Sequence, residues 1–151
     1  MDVMIDTNII VSAAIFPNER MNRFLGALSQ DHQLFLCSYS LEELERVVKK
    51  KWINRLKHIE LFLQQLQYTL IRTPSVNILD TDIVIRDEKD YPIMASAIIA
   101  DVDVLITGDK DFKGLALERP EILTILEFII KYINSRGGTH ENASYSERPH
   151  E

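Results

Sequence analysis

Val3-Met4-Ile5-Asp6-Thr7-Asn8 is a short apolar run closed by an acid. The run has the length of a buried strand, which places Asp6 at its carboxyl end. Leu105-Ile106-Thr107-Gly108-Asp109 repeats the arrangement later in the chain. Two more acids border apolar segments: Glu43 in Ser40-Leu41-Glu42-Glu43-Leu44, and Asp90 in Asp90-Tyr91-Pro92-Ile93-Met94-Ala95. A carboxylate at the edge of an apolar run is costly to desolvate unless something compensates it. If the four converge, a divalent cation is the natural compensation. Hard oxygen ligands select Mg²⁺ or Mn²⁺, which points to metal-assisted phosphate chemistry.

Working outward, Val3 to Ile5 and Leu34 to Cys37 read as buried strands, with further strands around Thr69 to Ile71, Val104 to Thr107 and Leu123 to Leu126. Helical spacing lies between them. Met21, Phe24, Leu25 and Leu28 follow the i, i+3, i+4, i+7 rule. Leu41, Leu44 and Val48 predict a helix starting near Ser40. Leu56, Ile59, Leu63 and Leu66 mark another helix that continues the same helical arm. Ile93 to Ala100 is apolar all round, which predicts a helix packed on both sides. Phe128 to Ile133 begins the last helix. Strands alternating with helices indicate an α/β domain with a mainly parallel sheet. Such sheets bind ligands beyond the carboxyl ends of their strands, where strand order reverses. Asp6 and Asp109 would face each other there if their strands are neighbours.

A chain of 151 residues, 46% of them apolar, is expected to form one domain with a real core. It has no run of the roughly 18 apolar residues that a membrane helix needs, and no secretory signal is recognised at its start. Its one cysteine, Cys37, reads as a buried strand residue and fits a reducing, cytosolic setting. Domain boundaries are expected at 1–134 for the folded part and 135–151 for a polar, flexible tail. That last segment has no Leu, Ile, Val or Phe, and Gly137-Gly138 stands near its start. The net charge of −6 argues against holding nucleic acid by general electrostatics. The charge is uneven, however. Arg46, Lys49, Lys50, Lys51, Arg55 and Lys57 follow one another with no intervening acid. They form either a solvated face or a basic rim that guides a phosphate backbone toward an acidic centre.

Each acid also has a purely structural reading. Asp6-Thr7-Asn8 can turn the chain out of a strand. Glu43 stands three residues after Ser40, the spacing of a capping box. Asp90 precedes Pro92 and can cap a helix. Asp109 and Asp111 can belong to a polar loop. These readings do not explain why so many acids mark one end of the sheet.

In order along the chain, these motifs resemble the PIN domain family of metal-dependent nucleases. Asp6-Thr7-Asn8-Ile9 is similar to its opening Asp-Thr-Asn motif. Glu43-Leu44 is similar to its helix-borne Glu. Asp90 with Met94, Ala95 and Ala97 is similar to its Asp before an alanine-rich helix. Thr107-Gly108-Asp109-Lys110-Asp111-Phe112 is similar to its Thr-x-Asp-x-x-Phe motif. Arg86-Asp87-Glu88-Lys89-Asp90 resembles a variant found in a branch of PIN-type toxins. The resemblance spans roughly residues 2 to 130.

The resemblance implies a three-layer α/β/α fold with a parallel sheet of about five strands in the order 3-2-1-4-5. It implies Mg²⁺- or Mn²⁺-dependent hydrolysis of RNA, with Asp6, Glu43, Asp90 and Asp109 as the catalytic acids. Asp6, Asp90 and Asp109 would be metal ligands, with Asp111 as a further candidate. Thr7, Asn8 and Thr107 would orient carboxylates or phosphate oxygens, and Asp87 would support the site or lie exposed. Lys49, Lys50, Lys51 and Arg55 are the candidate nucleic-acid contacts. VapC-type toxins of this size pair with a cognate antitoxin and form homodimers, for which Trp52 and Phe62 are candidate contacts. RNA processing, DNA cleavage and a noncatalytic interaction module are the alternatives. A haloacid-dehalogenase-like phosphatase would want a second Asp at the position held by Asn8.

Overall fold

The structure is a computed structural model, and it describes residues 1–75, 88–109, 112, 115 and 117–134. Asp87, Asp111 and the segment 135–151 lie outside the described residues. Five strands are described: β1 (Asp2–Ile5), β2 (Gln33–Cys37), β3 (Thr69–Ile71), β4 (Val104–Ile106) and β5 (Glu121–Leu123). All neighbours pair in parallel, in the order β3-β2-β1-β4-β5. The helices are α1 (Thr7–Ile15), α2 (Glu19–Asp31), α3 (Ser38–Lys51), α4 (Leu56–Gln65), α5 (Tyr91–Ile99) and α6 (Ile125–Phe128). Short 3-10 turns lie at Ile53–Arg55 and Glu88–Asp90, and a π-helical turn at Ile129–Asn134 follows α6.

The strands alternate between two cores, as the pleat requires. Val3, Ile5, Leu34, Leu36, Val104, Ile106 and Leu123 point into one core with residues of α1, α2, α3, α4 and α6. Met4, Cys37, Ile71 and Leu105 point into the other with Ile93, Met94 and Ala97 of α5 and with Phe112. Burial on both faces explains why these strands are continuous apolar runs. It also gives the three layers expected from the resemblance.

Several boundaries differ from the expected ones. Helix α1 follows Asp6 at once, although no helix was expected there. Its run Ile9-Ile10-Val11-Ser12-Ala13-Ala14-Ile15 is apolar nearly all round, so it carries no amphipathic period to detect. The helical arm that follows β2 is two helices, α3 and α4, and the break between them falls at Trp52. β5 ends at Leu123 because Thr124 caps α6. Thr124 Oγ1 accepts from the Glu127 N–H at 3.1 Å, and Glu127 Oε1 accepts from the Thr124 N–H at 3.0 Å. α5 is buried along Ile93 to Ala97, yet Ile99 is 57% exposed, so the helix is not packed on both sides as its composition implied. Among the described residues no helix is long and apolar enough to cross a membrane.

Candidate active site

Asp6 closes β1 and opens α1. Its backbone N–H donates to the Ile106 carbonyl at 3.2 Å, extending the β1–β4 pairing to the acid itself. Its Oδ1 accepts from the Ile9 N–H at 3.1 Å, which makes Asp6 the N-cap of α1. The Thr107 hydroxyl donates to Oδ2. Thr107 in turn accepts from the Asp109 N–H at 3.0 Å, so one hydroxyl holds the ends of β1 and β4 together. Asp6 is only 3% exposed. Burial pushes its carboxyl above the ordinary Asp value. The hydrogen bonds from Thr107 and Ile9 oppose that, and the charge of Asp109 adds to it.

Glu43 reaches the same place from α3. The start of that helix is tied to the end of β3: the Thr73 N–H donates to Ser38 Oγ at 2.9 Å, and the Tyr39 N–H donates to Thr73 Oγ1 at 3.1 Å. One turn on, the Tyr39 hydroxyl donates to Glu43 Oε2 at 3.2 Å. The expected Ser40–Glu43 capping box does not form. The helix begins two residues earlier, at Ser38, and the Ser40 hydroxyl pairs with Cys37 Sγ at 3.2 Å. Asp90 stands at the cap position of α5, with Pro92 in the first turn, but it makes no side-chain cap bond. It is buried, at 8% exposure. The capping readings of Glu43 and Asp90 therefore do not account for these two acids.

Asp6, Glu43, Asp90 and Asp109 line one cleft of about 360 Å³ beyond the carboxyl ends of β1 and β4. Strand order reverses between these two strands, the point where an α/β sheet opens a crevice. Thr7 and Asn8 share the lining, as do Lys51, Lys89 and Trp52, over apolar walls of Val11, Val47 and Ile93. Of the expected basic contacts, only Lys51 reaches the cleft. Lys49 is exposed and pairs with Glu45 at 2.7 Å, and Lys50 is exposed on the arm. Arg55 donates to the Ile15 carbonyl at 3.1 Å. Lys89 and Trp52 were not expected in the site. For Lys89 the only signal was its place directly before Asp90. Trp52 and Phe62, expected as subunit contacts, are half-buried against the larger core.

The cleft's donor set is all oxygen and strongly anionic, which suits a hard divalent cation. Thr7 Oγ1 is buried on its wall and has no hydrogen-bond partner among the described residues. A buried hydroxyl is costly to leave unsatisfied, and a ligand or its water would satisfy it. Among the described residues, no three of these side chains are already gathered around one point as ion ligands. A Mg²⁺ ion that keeps several waters does not need such a cage.

The chain matches the PIN domain family over residues 2–111. No curated protein matches it. Among solved structures, it is similar to a chain of VapBC2 from Rickettsia felis, bound in its crystal to a DNA fragment from their promoter. The TM-score is 0.67 and the identity 24%, over 82% of this chain and 97% of that one. That likeness speaks for the fold. The family match takes in Asp6, Glu43, Asp90 and Asp109 and covers well over half the sequence, so the chain belongs to the PIN domain family.

Proposed function

We propose that this PIN domain is a divalent-metal-dependent endoribonuclease and the toxin of a type II toxin–antitoxin pair. One observation carries the chemistry: four acids from four separate segments line a single cleft at the topological switch point. Capping and turn formation account for Asp6 in part, and for Glu43 and Asp90 not at all. Asp6, Asp90 and Asp109 would hold Mg²⁺ or Mn²⁺, with Glu43 completing the shell directly or through water. When bound, the cation supplies Lewis acidity toward the phosphodiester and its attacking water.

The chain's own groups have distinct tasks. Thr107 fixes the Asp6 carboxylate and the Asp109 backbone together. Tyr39 orients Glu43. Lys51 and Lys89 bring positive charge to the wall of an anionic cleft, where it offsets repulsion between the acids and a phosphate. No histidine is among the described lining residues, so proton transfer falls to carboxylates and water. The toxin reading is supported by the similarity in fold to a chain of VapBC2. The partner would be a cognate antitoxin, and the assembly a homodimer.

Incubating the purified protein with single-stranded RNA, with Mg²⁺ or Mn²⁺ and with chelator, tests the chemistry. Attack by water leaves 5′-phosphate and 3′-hydroxyl ends, and 2′-O-methyl RNA is cleaved as well. Ends bearing 2′,3′-cyclic phosphate from a chelator-insensitive reaction would reject the proposal. For the toxin, growth arrest on expression should be relieved by co-expressing a cognate antitoxin.

A further inference from the structure

Two aromatic rings stand at the edge of the acidic cleft, and the chemistry above gives them no task. Trp52 ends α3 and lines the cleft together with the four acids. Phe16 ends α1, is 59% exposed, and meets Trp52 edge to face, with ring centroids 5.9 Å apart and planes at 86°. The two rings make a right-angled corner. Its geometry is held from below. Trp52 packs against the larger core, its backbone N–H donates to the Val48 carbonyl at 2.7 Å, and Arg55 grips the Ile15 carbonyl, one residue before Phe16. The Lys51 ammonium lies 5.9 Å from the centroid of the Trp52 ring. That marks a ring face open enough to receive a cation.

We infer that the Phe16–Trp52 corner is a stacking platform for one unpaired base of an RNA strand, with Lys51 taking the adjoining phosphate. The inference rests on the nuclease reading, which sets the scissile phosphate among the acids. Base faces stack on aromatic side chains whatever the sequence, and the flanking cations track the backbone. The corner is continuous with the proposed reaction site, because Trp52 and Lys51 line the same cleft as Asp6 and Asp109. On binding, Lys51 exchanges its contact with the indole for a phosphate, and a base covers the ring. A base inside a duplex cannot do this, because both of its faces are already stacked.

Trp52 is the chain's only tryptophan, so its intrinsic fluorescence reports on the corner alone. The 151-residue chain is titrated, in chelator, with a single-stranded oligoribonucleotide, the same strand in a duplex, and an abasic strand of equal length. The single strand should quench Trp52 strongly, while duplex and abasic strand should not. Phe16→Ala, at an exposed position that should fold normally, should weaken single-strand binding about tenfold and leave abasic binding unchanged. Trp52→Phe keeps most of the packing and should weaken binding by less. Equal quenching by all three probes, or a Phe16→Ala variant with wild-type affinity, would overturn the platform; the latter would leave the corner as a surface for a protein partner. RNA cleavage without quenching rejects the platform and keeps the nuclease. Quenching without cleavage in Mn²⁺ keeps the platform and rejects the nuclease.

Discussion

Asp6→Asn is the sharpest probe of the cleft, because Asp6 has two tasks that this substitution separates. Asn caps a helix as well as Asp does, so the bond from the Ile9 N–H, 3.1 Å in the wild type, survives. The atom facing Thr107 becomes Nδ2, a donor, so the Thr107 hydroxyl can no longer donate there and must accept instead. Reversing that contact costs at most about 1 kcal/mol. Against this, the substitution removes a buried charge. Burial raises the Asp6 pKa above its ordinary 3.8, and Asp109 raises it further. The folded, metal-free chain therefore holds this proton more tightly than the unfolded chain does. By linkage its stability falls as pH climbs from about 3.8 through the raised folded value, and the loss is complete above that window. Asn does not titrate. Measured by urea unfolding in chelator, the stability of Asp6→Asn relative to wild type should rise across this window and then level off. At neutral pH the variant should match or exceed wild type by up to about 1 kcal/mol. Asp6→Ala, which also loses the cap, should be less stable by about 0.5–2 kcal/mol. Mn²⁺ at about a hundred times its dissociation constant adds about 2.7 kcal/mol to the wild type, or roughly 8 °C in melting temperature for a chain of this size. It should add far less to Asp6→Asn. A relative stability that stays flat or falls with pH, together with a wild type indifferent to Mn²⁺, would refute the reasoning.

Thr107→Val removes the hydroxyl that joins Asp6 to the Asp109 backbone, and should lower Mn²⁺ affinity, read by calorimetry, about 10- to 100-fold. Tyr39→Phe deletes the donor to Glu43; cleavage rate should fall by up to about tenfold while melting stays within about 1 kcal/mol of wild type, and an unchanged rate would remove Glu43's orientation from the mechanism. Lys51→Gln should flatten the salt dependence of RNA binding by about 0.7 in log–log slope. Lys49→Gln, at a residue already paired with Glu45 outside the cleft, should change it less, and equal effects would return the whole basic run to a solvated face.

The inner strands β1 and β4 were legible because they are buried on both faces, while edge strand β3, with Thr69 and Leu70 exposed, was legible from its short apolar run alone. Continuous apolar runs of three to five residues leave little choice, and β3 lies where its pattern places it, at Thr69–Ile71. Helices with one wet face, such as α2, were legible from spacing. What could not be read lies where period fails. α1 is apolar nearly all round. α3 and α4 separate at Trp52 with no proline or glycine to announce the break. The end of β5 was readable in principle, since Thr124 and Glu127 have the capping-box spacing, but the apolar run through Leu126 masked it. Strand order came from family resemblance, because periodicity says nothing about which strands pair.

The acids were legible as candidates, and what the fold adds is their relation. A single carboxylate after a strand is an ordinary turn residue, and Asp6 indeed caps α1. Capping and catalysis are not rival readings of this residue. The cap bond engages Oδ1 and the Thr107 hydroxyl engages Oδ2, and each oxygen has a second lone pair that can face the cleft. Under the proposed chemistry the cap would help the site: it fixes the carboxylate's rotamer, so a cation would meet a ligand that needs no reordering. Glu43 and Asp90 show the opposite case, cap spacing without cap bonds. Spacing alone cannot tell these cases apart. The difference is set by where a helix starts, and two residues at Ser38 were enough to free Glu43 from the cap and turn it toward the cleft.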